Sequence, residues 1–183
     1  MDQDLVIQTN RLLLCTVLPD EYERLALNQA DPNLWVDRGF SDPDKYFLNN
    51  PNPIKYRLPR IKKNPEYAKY LLRVAVLKDN PIIIASAGFH NAPDSDGMIE
   101  IGFGVDKKYQ GRGFGQEILH GMWNWVANDS LVKTLRYTVS PENLISQHII
   151  KKLGFKHSGQ QIDEEDGPED IYELSASDYK LKF

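Results

Sequence analysis

Cysteine is almost missing from this chain of 183 residues: Cys15 stands alone, so no internal disulfide can form. No uninterrupted apolar run approaches the roughly 20 residues that a bilayer-spanning helix needs. The start, Met1-Asp2-Gln3-Asp4, is acidic and lacks the basic and apolar regions of a signal peptide. There is no internal repeat and no low-complexity tail. A basic excess is lacking too, since 22 Lys and Arg stand against 26 Asp and Glu, a net charge of -4. That balance weighs against a general nucleic-acid binder, although Lys55, Arg57, Arg60, Lys62 and Lys63 leave room for a local basic patch. The four histidines (His90, His120, His148 and His157) show no metal-ligand spacing, so no metal is expected. These absences predict a cytoplasmic protein without a membrane segment, and the length fits one domain, 1–183, around one core.

What is present is a regular succession of elements. Arg11 to Thr16 reads as a strand, and Pro19-Asp20 opens a helix to about Gln29. Residues 31–66 carry six prolines (Pro32, Pro43, Pro51, Pro53, Pro59, Pro65) among the aromatics Trp35, Phe40, Tyr46, Phe47 and Tyr56. That mixture predicts short helices and loops, in a segment long enough to be functional. Strands are expected over Leu71 to Leu77, Ile82 to Phe89 and Met98 to Val105, separated by the turns Asp79-Asn80-Pro81 and Asn91 to Gly97. A helix over Gln116 to Asn128 carries Ile118, Leu119, Met122, Trp125 and Val126 on one face. After a strand over Lys133 to Val139, Ser140-Pro141 offers an N-cap and N1 for a second helix. Gly154 then falls where a left-handed C′ residue is expected, with Phe155 as its apolar partner. Lys156 to Ile162 and Asp170 to Leu174 close the chain as two strands around a turn-rich segment. The pattern is that of a mixed α/β domain.

The most informative stretch is Tyr109-Gln110-Gly111-Arg112-Gly113-Phe114-Gly115, set between a strand and a helix. A glycine loop there leaves backbone N–H groups at the positive end of a helix dipole, an arrangement that binds phosphate oxygens. A tight helix-entry turn without ligand would use the same glycines. The dinucleotide fingerprint G-x-G-x-x-G from Gly111 would need glycine at 116, where Gln116 stands. A P-loop would need Gly-Lys-Ser/Thr, and Gly115-Gln116-Glu117 does not supply it. What remains is Q-x-x-G-x-G, read as Gln110, Gly113 and Gly115.

With this motif the chain resembles the GCN5-related N-acetyltransferases, whose acetyl-CoA pyrophosphate loop reads Q/R-x-x-G-x-G/A. Asn143-Leu144-Ile145-Ser146 followed by Lys152-Leu153-Gly154-Phe155 is similar to that family's N-x-x-S/A…K-L-G-F helix. The opening Thr9-Asn10-Arg11-Leu12-Leu13-Leu14 and Ser146 look most like the RimJ/RimL branch, which acetylates protein N-terminal amines and, in relatives, small amines. The resemblance runs from Arg11 to Leu174. It implies a single-domain fold with a mixed, mostly antiparallel sheet flanked by helices, acetyl-CoA as cosubstrate and 31–66 as the variable, substrate-side segment.

Acetyl transfer to an amine requires a proton acceptor, a polarised thioester carbonyl and a stabilised departing thiolate. Strand alternation puts Met98, Glu100, Gly102 and Gly104 on one face and Ile99, Ile101, Phe103 and Val105 on the other, the core side. The resemblance makes Glu100 the general base, and a carboxylate partly out of water suits amine deprotonation near neutral pH. An exposed strand glutamate, or a cross-strand ion pair with Arg136, is the competing reading. By the same resemblance the backbone N–H groups of Phe103, Gly104 and Val105 hold the thioester and pantetheine. The loop Gln110, Gly111, Arg112, Gly113, Phe114 and Gly115 holds the pyrophosphate. Arg112 reads equally as a phosphate contact or a solvated charge.

Asn143 and Ser146 lie one helical turn apart. The resemblance assigns Asn143 to CoA contact and Ser146 to the thiolate, as general acid or as a small residue packed under the cofactor. Many superfamily members carry a tyrosine four residues beyond Ser146, where this chain has Ile150. Trp35, Phe40 and Tyr172 are candidates for the acceptor pocket, with core packing the alternative for each. The run Asp163-Glu164-Glu165-Asp166 reads as a solvated turn that would attract a cationic amine if it bordered the pocket.

The expected activity is therefore acetyl-CoA-dependent transfer to a primary amine, of a protein N-terminus or a small molecule, by direct attack in a ternary complex. A non-catalytic CoA-binding sensor and a toxin-type aminoacyl-tRNA acetyltransferase are the alternatives. Nucleic acid is not the expected partner, and a homodimer is compatible with the sequence. The acceptor and the oligomeric state cannot be read from it.

Overall fold

A computed structural model describes residues 2, 4–164 and 167–183. Glu165 and Asp166 of the acidic run lie outside the described residues. The chain forms a mixed, mostly antiparallel α/β fold that gathers into two compact units. The first comprises 1–92 with 103–122, and the second 93–102 with 123–183.

In the first unit β1 (Val6–Gln8) pairs antiparallel with β2 (Leu12–Thr16), β2 with β3 (Arg73–Leu77), and β3 with β4 (Ile83–Phe89). The C-terminal end of β5 (Met98–Val105) adds the next strand. β1 was not apparent in the sequence, because three residues are too few to show a period. α1 (Pro19–Leu27), α2 (Tyr46–Asn49), α3 (Asn52–Lys63) and α4 (Ala68–Leu71) precede β3, and α5 (Phe114–Val126) follows the glycine loop. α3 departs from the expected short pieces by running twelve residues through Pro59. A proline inside a helix costs about 3 kcal/mol. Burial of Ile54 and Ile61 on one face of α3, against a core that includes Tyr22, Trp35, Phe47 and Leu71, offsets that cost.

In the second unit the start of β5 runs parallel to β6 (Thr134–Val139), which pairs antiparallel with β8 (Gly167–Ser175). β8 in turn pairs antiparallel with β7 (Lys156–Asp163). The parallel pair needs a crossover, and α5 lies within it. α6 spans Leu144–Lys152, beginning later than Ser140-Pro141 suggests. Ser140, Pro141 and Glu142 form a turn in which the Asn143 N–H donates to the Ser140 carbonyl at 3.0 Å, and Asn143 itself caps the helix. The end is as read. Gly154 has φ 94°, its N–H donates to Lys151 O, and the Phe155 N–H donates to Ile150 O. Phe155 then stacks near Trp123 at 5.4 Å. A final helix, α7 (Ala176–Lys182), capped by Ser175, also escaped the sequence reading.

One polar node holds the first unit's strands at the functional end. The Tyr46 hydroxyl donates to Gly104 O at 2.9 Å, accepts from the Ser86 N–H at 3.1 Å and lies 3.1 Å from Ser86 Oγ. Burial pushes the phenol's pKa up, so it stays protonated and able to donate. Tyr46→Phe leaves the buried Ser86 N–H and Gly104 carbonyl without this partner. The variant should lose about 1–3 kcal/mol of stability in urea denaturation.

Candidate active site

The glycine loop is built by local geometry. Asp106 Oδ1 accepts from the Lys108 N–H at 2.9 Å and starts a single 3-10 turn, Lys107–Tyr109. Gln110 is extended, and its Nε2 donates to Val105 O at 2.8 Å, bracing the loop against the strand it leaves. Gly111 and Gly113 sit at φ 71° and 78°, the left-handed region that side chains avoid. A Cβ on Gly111 would meet nothing within 4 Å, so that backbone faces open space. Gly115 is glycine for another reason, because its Cβ would come within 2.9 Å of the Phe103 ring.

α5 then begins at Phe114, two residues earlier than expected, and its Glu117 N–H donates to Gly113 O at 3.2 Å. The N–H groups of Phe114, Gly115 and Gln116 therefore precede the helical ladder and have no intrahelical acceptor. Free N–H groups at a helix N-terminus are an arrangement that can cradle an anion.

Sequence reasoning missed what fixes the cradle. In the β1–β2 turn, Thr9 Oγ1 donates to Glu117 Oε1 at 2.6 Å, and the Arg11 N–H donates to the same oxygen at 2.7 Å. Arg11 Nε donates to Glu117 Oε2 at 2.7 Å, and its NH1 donates to Arg112 O at 3.0 Å. The Arg11 guanidinium lies 4.1 Å from the Phe114 ring centroid, and that of Arg112 lies 5.3 Å from it. Two cations thus flank the loop. The available signal was the pairing of Arg11 with a helix first-turn Glu117, which nothing local connects.

In the second unit Glu100 is half-buried on β5, and its Oε1 accepts from Thr138 Oγ1 at 2.7 Å. Arg136 stands opposite in register, and its guanidinium is paired with Glu173, NH2 to Oε1 at 2.7 Å. Strand alternation holds through buried Ile99 and Ile101, then ends at Gly102. Asn143 is exposed, and its Oδ1 accepts from the Ser146 N–H at 3.1 Å as the α6 cap, leaving its amide donors outside that cap. Burial raises the pKa of the Tyr137 phenol, and the nearby Ser146 side chain opposes the rise. Ser146 thus has a tyrosine nearby, one on β6 rather than at position 150, where Ile150 is buried.

Trp35 and Phe40 are core residues, stacked at 5.3 Å and 2% and 7% exposed. Tyr172 is buried, and its hydroxyl donates to Gln147 Oε1 at 3.1 Å. Gln147 Nε2 reaches Pro141 O at 2.9 Å, so Tyr172 steadies the entry to α6. The basic stretch also needs correction. Lys55, Arg60, Lys62 and Lys63 are exposed, but Arg57 is buried, because it occupies the same helix face as Ile54 and Ile61. Among the described residues no cluster of His, Cys, Asp and Glu could hold a metal, and no helix is long and apolar enough to cross a membrane.

A mixed sheet with a glycine-built helix entry after β5 is the fold and loop expected of acyltransferases that use a CoA thioester. Residues 11–156 match the model of the acetyltransferase (GNAT) domain, and the chain belongs to that family. It is an N-acetyltransferase, an enzyme of the acyltransferase class. It is similar to the uncharacterized N-acetyltransferase YjdG of Bacillus subtilis, 31% identical over 82% of this chain and 89% of the relative.

Solved structures share the fold. The ribosomal L7/L12 alpha-N-protein acetyltransferase RimL, in complex with coenzyme A, superposes with a TM-score of 0.64 at 13% identity, covering 93% of this chain and 97% of RimL. A chimera of the Vibrio cholerae spermidine N-acetyltransferase SpeG with hSSAT gives 0.65 at 12% identity, over 93% and 99% of the two chains.

The Glu117 anchor has a pH signature. Burial pushes its carboxyl pKa up, but the bonds from Thr9 and Arg11 outweigh burial and hold it below the ordinary value. A depressed pKa adds stability that is fully present above the unfolded pKa and is lost as pH falls through the folded one. Glu117→Gln should therefore be less stable than the parent by about 1–3 kcal/mol at neutral pH. The gap should close as the pH drops below about 4.3, the ordinary glutamate value. Urea denaturation at several pH values measures it.

Proposed function

We propose that the protein uses acetyl-CoA to acetylate a primary amine, of a protein N-terminus or a small molecule, by direct attack in a ternary complex, with 1–183 acting as one cytoplasmic enzyme domain. The observation that carries this reading is the cradle: two left-handed glycines and three helix-entry N–H groups in a chain of the GNAT family. The solved neighbours carry names for acetylation of a protein α-amine and of spermidine, both amine acceptors.

The roles follow from the chemistry. Gly111, Gly113, Phe114 and Gly115 offer backbone to the pyrophosphate, Gln110 braces the loop, and Arg112 adds charge beside it. Phe103, Gly104 and Val105 hold the pantetheine and thioester through their backbone. Asn143 contacts CoA through its amide. Glu100 takes the proton that the ammonium must lose, directly or through water, while its bond from Thr138 fixes the carboxylate. As the amine nitrogen bonds to the carbonyl carbon and the C–S bond breaks, Ser146 delivers a proton to the sulfur and recovers one through Tyr137. Trp35, Phe40 and Tyr172 serve by holding their segments in place rather than by touching the acceptor.

Glu100→Gln should lower kcat/KM by about 10²–10⁴-fold while acetyl-CoA binding persists, and unchanged turnover across the pH range removes Glu100 from the role. Ser146→Ala should reduce kcat in the same CoA-release assay, and full turnover there assigns the proton to water. The decisive measurement for the function is CoA release with a panel of amines and N-terminal peptides. A protein that binds acetyl-CoA yet consumes none with any of them is a sensor.

A further inference from the structure

Arg57 is a buried charge in the first unit with few partners. It is 8% exposed, and among the described residues its guanidinium makes one hydrogen bond, NH2 to Gly88 O at a long 3.4 Å. Its Nε is buried without a partner, and so is the hydroxyl of Tyr22 on α1, the helix packed beside α3. The Nε of Arg73, the other buried arginine, likewise has no hydrogen-bond partner, but that guanidinium donates to the three carbonyls of Leu14, Asp4 and Lys69. A buried cation with five donors and one weak acceptor is costly, and buried charges are as a rule paired. The planar fork of arginine suits a carboxylate, which it can grip with two parallel bonds.

Position says which molecule brings that carboxylate. Gly88 lies two residues along β4 from Ser86, a step of about 7 Å. Ser86 and Tyr46 form the node that holds Gly104, in the stretch of β5 assigned above to the thioester. The Arg57 charge is felt at both the Tyr22 and Tyr46 hydroxyls. A small molecule with an amine at one end and a carboxylate at the other spans such a distance.

We propose that Arg57, with the Tyr22 hydroxyl, is an anion-recognition site for the acceptor, making amines that carry a carboxylate the preferred substrate class over polyamines and neutral amines. This rests on the N-acetyltransferase reading above. The carboxylate can belong to a free amino acid or to an acidic side chain near a peptide N-terminus.

The test pairs N-acetyl amino acids with their carboxamides, and N-acetylated peptides bearing Asp or Glu with their Asn or Gln counterparts. Binding to the full chain is read by calorimetry. The wild type should bind the carboxylates of one source at least tenfold more tightly than their neutral partners. Arg57→Met should erase that margin, Arg57→Lys should keep part of it, and Tyr22→Phe should reduce it. A margin confined to the free amino acids or to the peptides names the source. Equal binding of carboxylate and carboxamide by the wild type, or a full margin in Arg57→Met, overturns the site. Should Arg57→Met fail to fold, the wild type and Arg57→Lys decide alone. A carboxylate margin without turnover of any amine leaves the site standing and removes the transferase reading. Turnover of neutral and anionic amines with equal kcat/KM does the reverse.

Discussion

The carboxylate of Glu117 is the constraint on which the glycine loop depends. It sits in the first turn of α5 and receives three hydrogen bonds from a turn more than a hundred residues earlier in the chain. A glycine loop is useful only if its N–H groups converge, and glycines by themselves do nothing to keep them convergent. The bonds from Thr9 and Arg11 fix the start of α5, and Arg11 reaches on to the carbonyl of Arg112 within the loop. Close approach completes the fixation, since a Cβ on Gly121 would come within 2.8 Å of Thr9. The negative charge of Glu117 is also well placed near a helix N-terminus.

The second unit solves a parallel problem with smaller groups. The proposed base, Glu100, needs its carboxylate oriented, and the bond from Thr138 does this. For the proposed proton donor, Ser146, the nearby Tyr137 phenol is the proposed source of protons. Asn143 turns the start of α6 so that Ser146 follows it by one turn. In the first unit the Tyr46 hydroxyl holds Gly104 through its carbonyl.

Much of this was legible in the sequence, and the reason differs by element. β5 was read to its residue limits because period-2 alternation and turn glycines delimit it. The end of α6 was legible because Gly154 and Phe155 carry a local capping code. The start of α6 was misplaced because Ser140-Pro141 is an equally good local code for a turn, and only Asn143 engages the helix. α3 was underestimated because its interior proline is a local penalty outweighed by burial, which no local pattern reports. Arg57 was misread within a basic stretch, since charge density along the chain does not say which face a helix turns inward.

The sequence by itself determined the order of elements from β3 to β8, the glycine loop, the family and hence the transfer of an acetyl group to nitrogen. Those rest on short-range patterns, in which a few neighbouring residues dictate backbone angles and periodicity. Only the tertiary structure decided what stands behind each of those patterns. Arg11 and Thr9 meet Glu117, Tyr46 meets Gly104, Tyr137 meets Ser146, and Arg57 lies buried with hardly an acceptor. Each of these is a contact or an isolation in space between residues far apart in the chain. Its free energy depends on burial and on partners that the local sequence does not record.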